Sequence, residues 1–266
     1  IMLDKDNFKK NIKSIKTKIK KENPIFFLSA NLFSQGLYSD DLYYISDYLV
    51  REFTKIKNST IIVPTATLDI LETKKTFEKN KSKSSRMGFF SEYVRKKNNI
   101  VRSNHPLWSF SALGFYSKKI TKNVPKTCYG QNSIFDRLLN YNTFYICLGD
   151  VRSSLAPIHY VEQMAGVPYR FFKEFKVKIK TGKKIKTDNY YFYAMVNSKK
   201  IKRDNNNKVV KILLKKKIMK IFKNKNFNIY FSDYKKLIHE LFELLDKNPK
   251  IYLRDEKINF QKDLKF

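Results

Sequence analysis

The sequence predicts an α/β fold of the layered kind, and three observations carry that expectation. Residues 25–29 and 60–64 are short, almost wholly apolar runs of strand length. Between them, 39–57 has the 3.6-residue periodicity of an amphipathic helix. A third apolar run, 143–149, ends in a glycine and leads to a proline-started helical segment. Strand, helix and strand joined by short connections are the mark of a layered sheet with helices on its faces. The chain has 266 residues and 42% hydrophobic content, enough to bury a sizeable core.

Residues 4–22 read as an amphipathic helix, with Phe8, Ile12, Ile15 and Ile19 on one stripe and Pro24 as its stop. The first buried strand, 25–29, runs into a loop through Ser34, Gln35 and Gly36. Ser39 is the expected N-cap of the next helix, whose inward face is Leu42, Ile45, Leu49, Phe53 and Ile56. The second buried strand is 60–64. Residues 66–86 read as irregular and lysine-rich, and a short helix follows from Met87 and Gly88. Residues 108–116 suggest a strand, 131–141 a helix, 143–149 a strand, and Pro157 opens a helix carrying His159 and Glu162. Residues 171–200 read as two strands around Thr181-Gly182, 201–228 as a lysine/asparagine tract of low complexity, and 233–246 as a helix. There is no internal repeat and no linker that demands two domains.

Charge is the most conspicuous feature, a formal +31 at pH 7. A nucleic-acid surface would lean on arginine, whose planar fork suits phosphates and base edges. Here 46 of the 55 basic residues are lysine, which is also what A/T-rich coding yields. Against that background the exceptions inform. Six of the nine arginines lie between 86 and 170, with His105, His159 and the single tryptophan, Trp108. The site is therefore expected in the middle of the chain. The lysine runs at 178–186 and 199–225 lack the aromatic interleaving that stacks bases. Two cysteines, Cys128 and Cys147, exclude a disulfide framework or a cysteine-based zinc site. No apolar run reaches the length of about 18 residues that a membrane span needs. Ile1 to Asn11 is too charged for a secretory signal, so the expected compartment is the cytoplasm.

Dinucleotide and P-loop glycine motifs and the nucleophile elbow are absent. Three constellations remain. His159 and Glu162, three apart on a helix, can reach one pocket together, the carboxylate fixing the imidazole tautomer of a general base. Just before them, Asp150 lies past a strand's carboxyl end, where ligands of open α/β sheets bind. Arg102, Ser103, His105 and Ser109 offer a cation, hydroxyls and an imidazole, or an ordinary turn. Ser84, Ser85, Arg86, Met87 and Gly88 enter a helix, as an anion site or an ordinary cap.

In order, these pieces resemble the aminoglycoside 3-N-acetyltransferase family. The likeness runs from about Ser29 to Arg170, through Ser84–Gly88, Glu92, Arg95, Val101–Pro106, Ser109, Gly130–Ser133, Leu148-Gly149, His159–Glu162 and Val167–Arg170, with no match after residue 175. It departs from the family where Ser29-Ala30-Asn31 stands for His-Ser-Ser, and Ser133-Ile134 for Ser-Pro. The resemblance implies a single αβα-layered domain with a central mixed sheet. Residues 1–200 would be the acetyltransferase-like part, and 201–266 a lysine-rich segment and helix packed on the same domain. It implies acetyl transfer from acetyl-coenzyme A, as co-substrate and without a metal, to an amine of a sugar-like acceptor.

By this resemblance His159 and Glu162 are the catalytic pair. Ser84, Ser85, Arg86, Met87, Gly88, Ser103 and His105 match positions lining the coenzyme and the cleft, with Arg102 expected beside them. Ser29, Asn31 and Asp150, by their place past strand ends, are the expected acceptor contacts. Aminoglycosides are polycations, so the basic chain suits an anionic acceptor better, such as a nucleotide-linked amino sugar for a surface glycan. The other class open to this sequence is a weakened family member serving as a lysine-rich module for nucleic acid or anionic membrane.

Overall fold

The computed structural model describes residues 3–32, 35–198, 201–204 and 206–263. Ser34 of the expected loop and Lys199 and Lys200 of the lysine tract lie outside them. Helix α1, Lys5–Lys16, is capped by Asp4 and buries Phe8, Ile12 and Ile15. It stops well short of residue 22, because its apolar stripe gives way to a run of exposed lysines. Strand β1 (Ile25–Asn31) leads to α2 (Ser39–Thr54) and β2 (Thr60–Pro64). Tyr38, not Ser39, occupies the N-cap of α2, and no side chain caps it. Residues 66–86 contain α3 (Ile70–Thr73) and β3 (Phe77–Glu78), both too short for periodicity to reveal. Then come α4 (Gly88–Arg95), β4 (Val101–Arg102), β5 (Phe110–Gly114), α5 (Ser117–Thr121) and α6 (Ile134–Arg137). Strand β6 (Thr143–Gly149) precedes α7 (Val151–Ser154) and α8 (Pro157–Met164).

The hairpin expected around Thr181-Gly182 is β7 (Arg170–Thr181) and β8 (Lys184–Met195), paired along their whole length. The low-complexity reading of 201–228 fails: α9 (Asn207–Lys215) and β9 (Lys220–Lys223) fold there. Lysine is a good helix former, and Val209, Val210 and Leu213 give α9 a buried stripe. Strand β10 (Asn228–Asp233), α10 (Tyr234–Lys247) and α11 (Phe260–Asp263) complete the described chain.

Seven strands form one mixed sheet in the order β4-β5-β2-β1-β6-β10-β9. Its centre is parallel, β1 lying between β2 and β6. The flanks are antiparallel, β5 on β2 and β10 on β6. The central strands are buried on both faces, which explains their continuous apolar sequences. Alternation then sorts their side chains. Ile25, Phe27, Ile62, Tyr145 and Cys147 join one core cluster with Leu237 and Leu241 of α10. Phe26, Leu28, Ile61, Ile146 and Leu148 join the other with Phe8 of α1 and Leu49 of α2. These are the two helical layers of an αβα sandwich. A second sheet, β3-β7-β8, packs beside the first cluster. Among the described residues no helix is long and apolar enough to cross a membrane.

The carboxyl ends of β1 and β6 run very close. Gly149 sits at φ +85°, and a Cβ there would come within 2.0 Å of the Asn31 carbonyl oxygen. Only glycine lets β6 turn away at this point. Gly88, at φ +79°, likewise starts α4 against the Ala30 carbonyl.

Candidate active site

A cleft of about 530 Å³ opens past the ends of β1, β2 and β6, where open α/β sheets bind their ligands. Ser29 to Asn31 and Pro64 form its floor, Arg86 to Gly88 one wall, and the segment from Arg152 to His159 another. Trp108, Arg203 and Asn206 border it as well.

His159 is placed by α8, which Pro157 starts immediately after a tight turn. Its side chain keeps 24% of its surface open, while Glu162, one turn on, is wholly buried. Glu162 Oε2 stands 3.6 Å from His159 Nδ1, 3.0 Å from Arg170 Nε and 2.5 Å from Arg203 Nη2. The Tyr169 hydroxyl donates to Oε1 at 3.1 Å. Burial pushes the Glu162 carboxyl up, but Arg203, His159 and Arg170 together outweigh it and hold it at about 2. It is an anion at any working pH. Burial drives the His159 pKa down to about 4; Glu162 opposes this, and Arg170 and Arg203 reinforce it. The imidazole is therefore neutral at pH 7, with a nitrogen lone pair free to accept a proton. Tyr129 stacks on the ring at 5.0 Å and Trp108 meets it edge-on at 5.7 Å, so its plane is fixed.

Ser29 and Asn31 line the cleft. Ser29 Oγ pairs with the Tyr145 hydroxyl at 3.0 Å, and Asn31 donates to Ser153 Oγ at 2.7 Å. Asp150 does not line it. Its carboxylate caps α7, accepting from the Arg152 amide and from Arg152 Nε at 2.7 Å, and faces a neighbouring groove.

Of the expected coenzyme contacts, Arg86, Met87 and Gly88 line the cleft and five others do not. Ser84 donates through its amide and its hydroxyl to Glu92, and Ser85 Oγ accepts from the Asp69 amide. Arg102 is buried, donating to Ser109 Oγ and to the carbonyls of Thr65, Lys79 and Ser82, so it clamps three segments together. Ser103 Oγ accepts from the Phe110 amide. His105 Nδ1 accepts from the Leu107 and Trp108 amides, which leaves Nε2–H for the Lys126 carbonyl. Burial takes its pKa down to about 4, so it stays neutral. These groups staple the turn that carries Trp108 to the cleft. Burial also pushes the Cys147 thiol up to about 11, which leaves no thiolate to act as a nucleophile.

Several cleft groups escape the sequence reading, among them Asn206, Trp108 as a lining residue, and Arg203. The lone tryptophan stands out in the sequence by its position alone. Arg203 carries a signal of the same kind, an arginine inside a lysine tract.

The sequence profile of the aminoglycoside 3-N-acetyltransferases matches residues 53–246, past the point where motif likeness ends at 175. No curated protein matches the chain. Solved structures do. AAC-IIIb, determined as a binary complex with CoASH, is 17% identical over 91% of this chain and 96% of its own, with a TM-score of 0.75. The YokD protein from Bacillus subtilis is 20% identical over 90% and 99%, with a TM-score of 0.71. The aminoglycoside acetyltransferase AAC(3)-IVa in complex with a gentamicin is 15% identical over 96% of both, with a TM-score of 0.73.

Proposed function

Because this chain belongs to the aminoglycoside 3-N-acetyltransferase family, we propose that it moves the acetyl group of acetyl-coenzyme A to the amine of a sugar-like acceptor, with His159 as general base. The observation that carries this reading is the His159 imidazole bordering the cleft with a wholly buried carboxylate 3.6 Å behind it. The CoASH bound by AAC-IIIb and the gentamicin bound by AAC(3)-IVa supply the two substrate classes by analogy.

An ammonium cannot attack a thioester. The amine nitrogen must bring a free lone pair to the carbonyl carbon and lose a proton as the C–N bond forms. In the tautomer with its hydrogen on Nδ1, which lies 3.6 Å from Glu162 Oε2 and 3.4 Å from Arg170 Nη2, His159 Nε2 takes that proton and the charge of Glu162 steadies the imidazolium. Collapse of the tetrahedral intermediate then breaks the C–S bond. The thiolate of coenzyme A leaves and recovers a proton from His159, so the base is regenerated within each turnover. Positioned proton transfer of this kind is worth about 10²–10⁴-fold.

The lysine-rich module is the weaker reading, because β9 of this tract joins the same sheet and Arg203 and Asn206 border the cleft. Thiol release from acetyl-coenzyme A with amino sugars tests the transfer. His159→Ala should keep its fold and its affinity for acetyl-coenzyme A and lose about 10²-fold or more of kcat. An unchanged rate rules His159 out as the base.

A further inference from the structure

Among the described residues no carboxylate lines the cleft, whereas Arg86, Arg152 and Arg203 do. Glu72 pairs with Arg86 and Asp150 with Arg152 from outside the lining. At the base itself one carboxylate, Glu162, serves two guanidiniums, leaving one positive charge uncompensated beside His159. A polycationic amine would find no carboxylate on the cleft lining and an uncompensated cation beside the base. The coenzyme also carries negative charge, but its phosphates lie a pantetheine arm away from the reacting thioester, while Arg203 touches the catalytic carboxylate.

Arg203 is also built to bind something. Its Nη2 is committed to Glu162, and its Nη1 is buried with no partner among the described residues. The indole Nε1 of Trp108, which borders the same imidazole, has none among them either. Asn206, which borders the cleft, is bonded through Nδ2 to the Arg152 carbonyl at 2.7 Å and has a buried Oδ1 with no partner among the described residues. Arg203 is held from behind by a bridge to Leu253 and by the flanking Asp204–Tyr252 and Arg254–Lys202 hydrogen bonds. Arg203 and Trp108 border the same cleft from separate segments, and single donors suit the oxygens of a tetrahedral phosphate. A planar carboxylate is best met by a whole guanidinium fork, which Arg203 cannot offer. Asn206 Oδ1 suits a sugar hydroxyl.

We infer that the acceptor is a phosphate-bearing amino sugar and that Arg203 is the residue that selects it. This rests on the transfer reading above and adds the substrate class to it. The wild-type chain and Arg203→Gln and Arg203→Lys variants are assayed for thiol release with glucosamine 6-phosphate, a UDP-linked amino sugar, glucosamine and kanamycin. The wild type should favour one phosphorylated acceptor over glucosamine by about 10- to 100-fold in kcat/KM, the worth of a charge-assisted hydrogen bond. Which phosphorylated acceptor leads separates a nucleotide from a sugar monophosphate. Arg203→Gln should bring that ratio toward one, and Arg203→Lys should restore part of it.

Three results overturn the inference and leave acetyl transfer standing. They are a preference for glucosamine or kanamycin, an unchanged ratio in Arg203→Gln, and an equal fall for every acceptor. The last would make Arg203 a general support of the base. Absence of thiol release with every amine overturns the transfer reading and this inference together.

Discussion

Replacing Glu162 with glutamine keeps the size of the side chain and removes only its charge. In the folded protein that carboxylate meets Arg170 at 3.0 Å, Arg203 at 2.5 Å and His159 at 3.6 Å, with none of it exposed. The variant leaves the buried Arg170 and the partly buried Arg203 without an anion and turns an amide N–H₂ or a weaker acceptor toward them. Breaking a buried pair in this way costs about 3–5 kcal/mol. Each kcal/mol moves the melting temperature of a chain this large by about 2–4 °C, so a fall of about 6–20 °C is expected.

The pH dependence identifies the cause. Glu162 is held at about 2 in the folded state against 4.5 as its ordinary value. A depressed carboxylate contributes stability that is complete above its unfolded pKa and disappears as the pH falls through the folded one. The gap between wild type and Glu162→Gln should be widest above pH 5 and shrink toward about pH 3. Below both melting temperatures, thiol release should be slower by about 10²-fold or more, since Nδ1–H loses its acceptor. Thermal unfolding across a pH series with the transfer assay reads both. A gap under about 2 °C, or one that does not change with pH, refutes the claim that two arginines are paired to this one carboxylate.

The acid limb of kcat at saturating amine should lie well below 6.5, because His159 is held at about 4, and Arg203→Gln should move it up by removing one of the cations that holds it there. His159 also makes folding acid-sensitive: its pKa is depressed, so its contribution is complete above about 6.5 and fades as the pH falls toward 4. Ser103→Ala should leave the Phe110 amide unpaired and cost about 1–3 kcal/mol with no change in the KM for acetyl-coenzyme A. A raised KM at unchanged melting temperature would return Ser103 to the coenzyme site. Gly149→Ala should cost well over about 2 kcal/mol, as its methyl collides with Asn31, whereas Gly166→Ala, at φ +63° with open space around it, should cost about 1–2 kcal/mol. Equal losses in the two unfolding experiments would remove the steric argument.

Strands β1, β2 and β6 were legible because both their faces are buried, which leaves runs that only strands of this length carry. Helix α8 was legible from Pro157, and with it the His159–Glu162 pair. Segment 201–233 was not. Lysine hid α9 and β9, and β10 shows only Ile229 and Phe231 in alternation within a polar stretch. Arg102, Ser103 and His105 have the residue types of a reactive site, yet their partners are mostly backbone groups and a neighbouring hydroxyl, and a residue's partner is invisible in one sequence. Arg203 meets Glu162 from 41 positions away, so no local spacing joins them.

The position of β10 in the sheet bears on biosynthesis. This strand, made well after the site's imidazole, lies between β6 and β9, and Arg203 precedes it by only two short elements. A nascent chain that has emerged from the ribosome only through β8 holds the imidazole and its carboxylate, but neither the second guanidinium nor the neighbour that β6 requires on its open edge. The site is expected to assemble only after synthesis through β10, since translation that halts in the lysine-coded stretch leaves β6 without its β10 neighbour.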